Sequence, residues 1–286
     1  MSPGAGTLAV VSLAALDMRR RPGHRAELTS QLLMGETVRI LRCAPRRGWS
    51  EVENRADGYR GWVREWGLIE ASPARVARWA RRARGRVGQL FVEVREAPGR
   101  GALVSPLFWN ARVIALSTRG RFRHIELPDG RRGWVPAAAL VSGRARNDLA
   151  KRVAGLLGIP YLWGGRTPLG FDCSGFTQQV LAEQGIAIAR DAEQQFKRAR
   201  PLPPGDEPRM GDLLFFGPAR GPMGHVGLGL GGGYYAHCRK HVRINSVNPV
   251  NPLYDNELKH QMRGWKRPVR SARTAAGLAP RHGESA

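Results

Sequence analysis

In the first half of the chain, apolar and polar residues alternate with a period of two in short runs separated by glycine, aspartate and arginine. The pattern occurs twice. GETVRILRCAPRRGWSEVE, then DGYRGWVREWGL, occupies 35–68, and NARVIALSTRGRFRHIELPDGRRGWVPAAAL occupies 110–140. Each unit reads as an alternating strand, a basic glycine-containing turn, a second alternating strand, a tight turn and Gly-Trp-Val. These last residues are Gly61, Trp62 and Val63 in one unit and Gly133, Trp134 and Val135 in the other. Successive side chains on a strand point to opposite faces, so such runs predict the half-buried strands of a small β-barrel, here present twice. Upstream, the apolar stretch Leu8–Leu16 reads as an early strand. Between the units, ARVARWARRARG carries Arg75, Arg78, Arg81, Arg82 and Arg84 and reads as a solvated helical or extended connector.

From about Ser142 the period lengthens. Asn147 or Asp148 can cap a helix through Leu149, Val153, Leu156 and Leu157, ended by Gly158 and Pro160. After the loop YLWGGRTPLG, Asp172 can cap a second helix with Cys173 in its first turn, apolar positions Phe176, Val180 and Leu181, and Gly185 as its stop. A short helix follows from about Asp191 to Arg200. Then come a strand over 212–216, a hairpin of 226–230 and 234–238 around Gly231, Gly232 and Gly233, and a strand over 242–247. Helices first and an antiparallel sheet afterwards make this half α+β. The Ala-, Arg- and Gly-rich tail reads as disordered. The expected organisation is a first barrel over 1–70, a basic linker over 71–85, a second barrel over 86–142, the α+β domain over 143–270 and the tail over 271–286.

Composition narrows the function. The chain has 286 residues, 42% of them hydrophobic, and no apolar run approaches the roughly 18 residues of a membrane span. Leu8–Leu16 lacks the basic flank of a secretory signal, so none is expected. The net charge of +23 suits an anionic partner, but no zinc finger, aromatic RNA-binding signature or helix-turn-helix accompanies the arginines. Nucleic acid is therefore not the expected partner. Three cysteines without a C-x-x-C argue against a disulfide framework and fit a reducing compartment with a free thiol.

Cys173 carries the candidate chemistry. At a helix start it faces the positive end of the helix dipole, which favours the nucleophilic thiolate. The competing reading is a small cysteine packed in a core. A cysteine nucleophile needs a base, and the base needs a group that orients it. His225 starts one strand of the predicted hairpin and His237 lies on the other, so the two can be neighbours.

DCSGF at 172–176, His225 52 residues after Cys173, and His237 12 residues after that resemble the NlpC/P60 family of papain-like cysteine peptidases. PYLWGG upstream and GDLLFF before His225 add to the likeness, which covers roughly 145–268. The two Gly-Trp-Val units are similar to bacterial SH3-like domains. The whole arrangement is similar to the SH3-containing γ-D-glutamyl-L-diamino acid endopeptidases.

The resemblance implies a papain-like domain behind two SH3-like barrels, with Cys173 as nucleophile, His225 as general base and acid, and His237 orienting it. The Cys173 N–H, with Tyr161, would serve the oxyanion. Asp172 and Ser174 would hold the ammonium of a substrate beginning with L-Ala, with Tyr59 and Glu27 closing the cleft from the first barrel. No cofactor or metal is implied, although Cys238 beside His237 departs from the family's usual small residue. The implied activity is hydrolysis of the γ-D-Glu–diamino acid bond of murein peptides; the lack of a signal and the unpaired cysteines set the expected compartment as the cytoplasm. Alternatives are an amidase or acyltransferase of the same fold, a wall-binding module with an inactive third domain, and an exported wall-associated protein.

Overall fold

The computed structural model describes residues 6–44, 48–141 and 148–269. The expected tail and the alternative cap Asn147 lie outside them. The first barrel contains β1 (Leu8–Val11), β2 (Ala15–Arg19), β3 (Leu28–Leu33), β4 (Thr37–Cys43), β5 (Trp49–Asn54), β6 (Arg60–Arg64) and β7 (Leu68–Ala71), in sheet order β3-β2-β6-β5-β4-β1-β7. The stretch Leu8–Leu16 thus spans a break between two strands. The second barrel contains β8 (Gly85–Val87), β9 (Phe91–Ala97), β10 (Arg100–Phe108), β11 (Arg112–Arg119), β12 (Phe122–Glu126), β13 (Arg132–Pro136) and β14 (Leu140–Val141). Its order, β10-β9-β13-β12-β11-β8-β14, repeats the first strand for strand.

The recurring Gly-Trp-Val has a physical reason. A Cβ on Gly61 would meet Met18 Cβ at 3.2 Å and Arg19 O at 3.3 Å, and one on Gly133 would meet Val94 Cγ1 at 2.6 Å and Arg95 O at 2.8 Å. Trp62 pairs with Arg19 and Trp134 with Arg95. In both barrels the glycine lies where the β2-type strand crosses closely: a Cβ would be a tight fit at Gly61 and would clash at Gly133.

The basic connector is a helix, α1 (Pro73–Arg82), with Ser72 as N-cap and Pro73 in the first turn. Its arginines are exposed, but Val76 and Trp79 are buried with Val10 of one barrel and Ile114 of the other. Trp79 Nε1 donates to Gly35 O at 3.0 Å, and Arg112 N donates to Met34 O at 2.9 Å. The linker is therefore a helix with solvated arginines whose buried face, Val76 and Trp79, packs against both barrels.

The third unit holds α2 (Leu149–Ala154), a small hairpin β15 (Arg166–Thr167) and β16 (Gly170–Phe171), α3 (Cys173–Glu183) and α4 (Ala192–Arg198). Its sheet contains β17 (Arg200–Pro201), β18 (Leu213–Phe216), β19 (His225–Gly231), β20 (Tyr234–Arg239), β21 (His241–Ser246) and β22 (Met262–Arg267), in order β17-β22-β18-β19-β20-β21. No pattern in MRGWKR announced β22. Helix α3 is buried on nearly every side, including Thr177, Gln178, Gln179 and Glu183. Both barrels meet these polar groups. Asp57 Oδ2 accepts from Gln178 Nε2 at 3.0 Å, Asn110 Nδ2 donates to Gln179 O at 3.0 Å, and Trp109 Nε1 donates to Glu183 Oε1 at 3.1 Å. Buried polar atoms need such partners, so the barrels complete this core as well as flanking it. Trp109 itself belongs to the core of the third unit.

Candidate active site

Cys173 opens α3, and the residues around it fix that helix start. Asp172 has extended backbone, and its Oδ1 accepts from Gly175 N at 2.6 Å as an N-cap. Its Oδ2 accepts from Gly164 N at 3.0 Å, tying the WGG loop to the helix. A Cβ on Gly175 would collide with Gly165 O, and one on Gly164 would stand 2.7 Å from Leu28 O of the first barrel. The glycines of WGG and CSG mark the points where loop, helix and barrel backbones touch.

The same carboxylate is paired with Arg190, whose side chain is 1% exposed. Arg190 Nη2 and Nη1 donate to Asp172 Oδ2 and Oδ1 at 2.6 and 3.0 Å, and Nη1 also reaches Ser174 Oγ at 3.0 Å. Its Nε donates to Ser30 Oγ of the first barrel at 2.9 Å. Ser174 Oγ donates to Asp172 Oδ1 at 3.2 Å. Five donors thus fill the acceptor sites of Asp172. The polar atoms of Asp172 and Ser174 therefore already serve the cap and Arg190.

Cys173 is 7% exposed, and burial, followed by the nearby Asp172 carboxylate, pushes its thiol up to about 12. The backbone N–H groups of Val226 and Ser174 act in the other direction but do not prevail. Burial thus works against the helix field that favours the thiolate. The thiol must lose its proton to a base; the Val226 N–H contacts the sulfur, and His225 is the residue before it on the same strand.

His225 Nε2 and His237 Nδ1 are 2.7 Å apart, and His237 Nε2 lies 2.8 Å from Asn245 Oδ1 on β21. His237 is fully buried. Burial lowers both imidazoles, His225 well below its usual 6.5 and His237 to about 4, so both are neutral at rest near pH 7. This has a consequence for stability. Above pH 6.5 His237 is neutral whether the chain is folded or unfolded, and stability is undiminished. As pH falls from 6.5 toward 4, the unfolded chain binds a proton that the folded chain refuses, with a loss of about 3 kcal/mol for this group. Denaturant unfolding should therefore weaken more steeply over that interval in the wild type than in His237→Gln. Equal slopes would contradict a buried neutral His237.

The remaining candidates surround the sulfur. Tyr161 lies close enough for the Cys173 and Asp172 charges to raise its phenol further after burial, so it stays a neutral donor. Tyr59, from the first barrel, is pushed up to about 12 by burial and then by the Asp191 carboxylate that its hydroxyl contacts. Glu27 is exposed and ion-paired with Arg20, and Trp163 Nε1 of the WGG loop donates to its Oε1 at 3.0 Å. The structure thus brings Glu27 and Tyr59 to the third unit.

Sequence reasoning missed two residues. Asp191 appeared only as the start of a helix, yet its side chain makes no cap bond to α4. Asn245 carried no signal beyond its place on a strand neighbouring His237. Cys238 is buried, with its Sγ donating to Phe171 O at 3.1 Å.

A β-sheet carrying two linked histidines against a cysteine-headed helix defines a cysteine hydrolase. Residues 158–263 match the NlpC/P60 family, and residues 18–68 match the bacterial dipeptidyl-peptidase Sh3 domain. The chain is 40% identical over 114 residues to the γ-D-glutamyl-L-lysine dipeptidyl-peptidase of Bacillus subtilis, covering 39% of this chain and 38% of that relative. It is 26% identical over 277 residues to dipeptidyl-peptidase 6 of Lysinibacillus sphaericus, covering 87% of this chain and 95% of that one. The fold of an NlpC/P60 family protein from Bacillus cereus superimposes with a TM-score of 0.75 at 21% identity, covering 92% of this chain and all of that one. The chain thus carries an NlpC/P60 cysteine-peptidase domain over 158–263 and a bacterial dipeptidyl-peptidase SH3 domain over 18–68. Among the described residues, no helix is long and apolar enough to cross a membrane.

Proposed function

We propose that this peptidase hydrolyses the bond between γ-D-glutamate and the diamino acid in peptidoglycan peptides with a free N-terminal L-Ala. The observation that carries the reading is the joining of Cys173, His225 and His237 to a wall made by the first barrel. Cys173 Sγ attacks the γ-carbonyl while its proton passes to His225, giving a tetrahedral oxyanion. The Cys173 N–H at the helix start, together with the Tyr161 hydroxyl, supports that oxyanion. Collapse expels the diamino acid amine, which takes the proton from His225. Water, deprotonated by His225, then hydrolyses the thioester, releasing L-Ala-γ-D-Glu and restoring the thiol.

Asp191 is the carboxylate we assign to the substrate ammonium, with Tyr59 and Glu27 beside it. It lies at the seam of barrel and catalytic unit, and Asp172 is already occupied. A wall that admits only free-ended peptides suits the recycling or turnover of released fragments over the cutting of intact strands.

Mass spectrometry of products tests the reading. L-Ala-γ-D-Glu-diaminopimelate should yield the dipeptide, and its N-acetylated form should not. Asp191→Asn should raise KM for the free-amine substrate by about 10- to 100-fold, the value of a charge-assisted hydrogen bond. Equal cleavage of the acetylated peptide would remove the ammonium site, and a transferred acyl adduct would favour the acyltransferase alternative.

A further inference from the structure

We infer that Asn245 is the positioning residue that sets the tautomers of both active-site histidines. The argument starts from the far end of the chain of contacts. Asn245 Nδ2 donates to Leu253 O at 2.7 Å. That carbonyl is held in place by Ser246 N at 3.0 Å. The amide orientation is therefore fixed, and Oδ1 is the atom facing His237 Nε2 at 2.8 Å. An amide oxygen only accepts, so His237 Nε2 must carry the proton.

A neutral imidazole has one N–H. With Nε2 protonated, His237 Nδ1 is a bare acceptor, and it stands 2.7 Å from His225 Nε2. His225 Nε2 must then be the donor, which leaves His225 Nδ1 with its lone pair free. Nδ1 is the ring nitrogen nearer the residue's own backbone, and the next backbone N–H, that of Val226, contacts Cys173 Sγ. Through two imidazoles, Asn245 thus presents a basic nitrogen on the side of the sulfur.

A second group competes for the same atom. Arg243 Nε lies 3.2 Å from His237 Nε2, and its Nη2 is paired with Asp255 at 2.6 Å. Arginine only donates. Were Nε2 to accept from Arg243, His237 Nδ1 would carry the proton, His225 Nε2 would accept it, and His225 Nδ1–H would face the thiol as a non-basic group. Asn245 Oδ1 would then oppose a lone pair at 2.8 Å. The shorter contact and the fixed amide select the productive tautomer against the one Arg243 favours.

The inference rests on Cys173 and His225 as the reacting pair, but its first test does not use activity. Long-range ¹⁵N–¹H spectra of imidazole-labelled wild-type protein at pH 7.5 should show Nε2–H on both His225 and His237. In Asn245→Leu, His237 should move toward Nδ1–H, and kcat should fall about 10- to 100-fold with KM little changed. Asn245→Asp keeps the acceptor. It should retain the tautomers and recover most of kcat, and its added charge should shift the acid limb of the pH–rate profile upward. The charged and titratable groups around His237 are His225, Arg239, Arg243, Asp255 and Tyr235, and none of them is altered in this comparison. Nδ1–H on wild-type His225, or Asn245→Leu with wild-type tautomers and kcat, would overturn the inference. Should Asn245→Leu not fold, the wild-type tautomers and the Asn245→Asp profile decide. Correct tautomers in a protein that does not cleave the peptides would instead count against the proposed reaction.

Discussion

Cys173→Ala is expected to lower kcat/KM on the free-amine tripeptide by at least about 10⁴-fold, with the fold unchanged, as loss of a covalent nucleophile does elsewhere. Alanine fits the space of a cysteine that is 7% exposed and removes one sulfur, so structural loss is small. Cys173→Ser should be nearly as poor. The resting site pairs a neutral thiol, raised to about 12, with an imidazole whose basicity burial has reduced. A hydroxyl is a weaker acid still, and the same base would have to ionise it. Cys238 cannot substitute, because it is buried and donates to Phe171 O. Single-turnover assays, with circular dichroism as the check on folding, measure both variants. Activity of Cys173→Ala within about tenfold of wild type would remove Cys173 from the mechanism.

Features governed by local rules were readable in the chain. The two barrels follow from period-two alternation, and Gly61 and Gly133 mark the close strand crossing, tight at the first and closed to a Cβ at the second. The start of α3 follows from Asp172 as a cap, and the neighbouring histidines from the tight turn before Tyr234. What escaped depends on contacts between distant segments. Trp109 and Asn110 look like any strand end followed by a turn, yet they complete the core around α3. The burial of the polar face of α3 depends on barrel groups from more than 65 residues away, which no local pattern announces. The thiol's protonation state also escaped: a helix start is visible in sequence, but the depth at which it is buried is not, and depth prevails. Asp172 illustrates the same limit. Its role as a cap was readable, while its pairing with Arg190, 18 residues further on, was not.

Arg190→Met should destabilise the protein by about 3–5 kcal/mol, because it leaves Asp172 as a buried carboxylate without its counter-charge. Methionine retains much of the volume, so the loss should report charge and hydrogen bonding more than a cavity. Arg190→Lys should fall between Met and wild type, since one ammonium cannot reproduce the fork that reaches Asp172, Ser174 and Ser30 together. Combining Arg190→Met with Asp172→Asn should restore part of the loss, because the unpaired charge is then gone. Denaturant unfolding of the two single variants and the double measures this coupling. A loss below about 1 kcal/mol for Arg190→Met, or strict additivity with Asp172→Asn, would show that the pair does not hold the helix start. The same arginine also bears on recognition. It lies next to Asp191 and anchors Ser30 of the barrel, so losing it should loosen the wall that Tyr59 brings to the cleft. Even where the double variant regains stability, KM for the free-amine peptide should stay raised, because neutralising Asp172 repairs the buried charge without reseating the barrel.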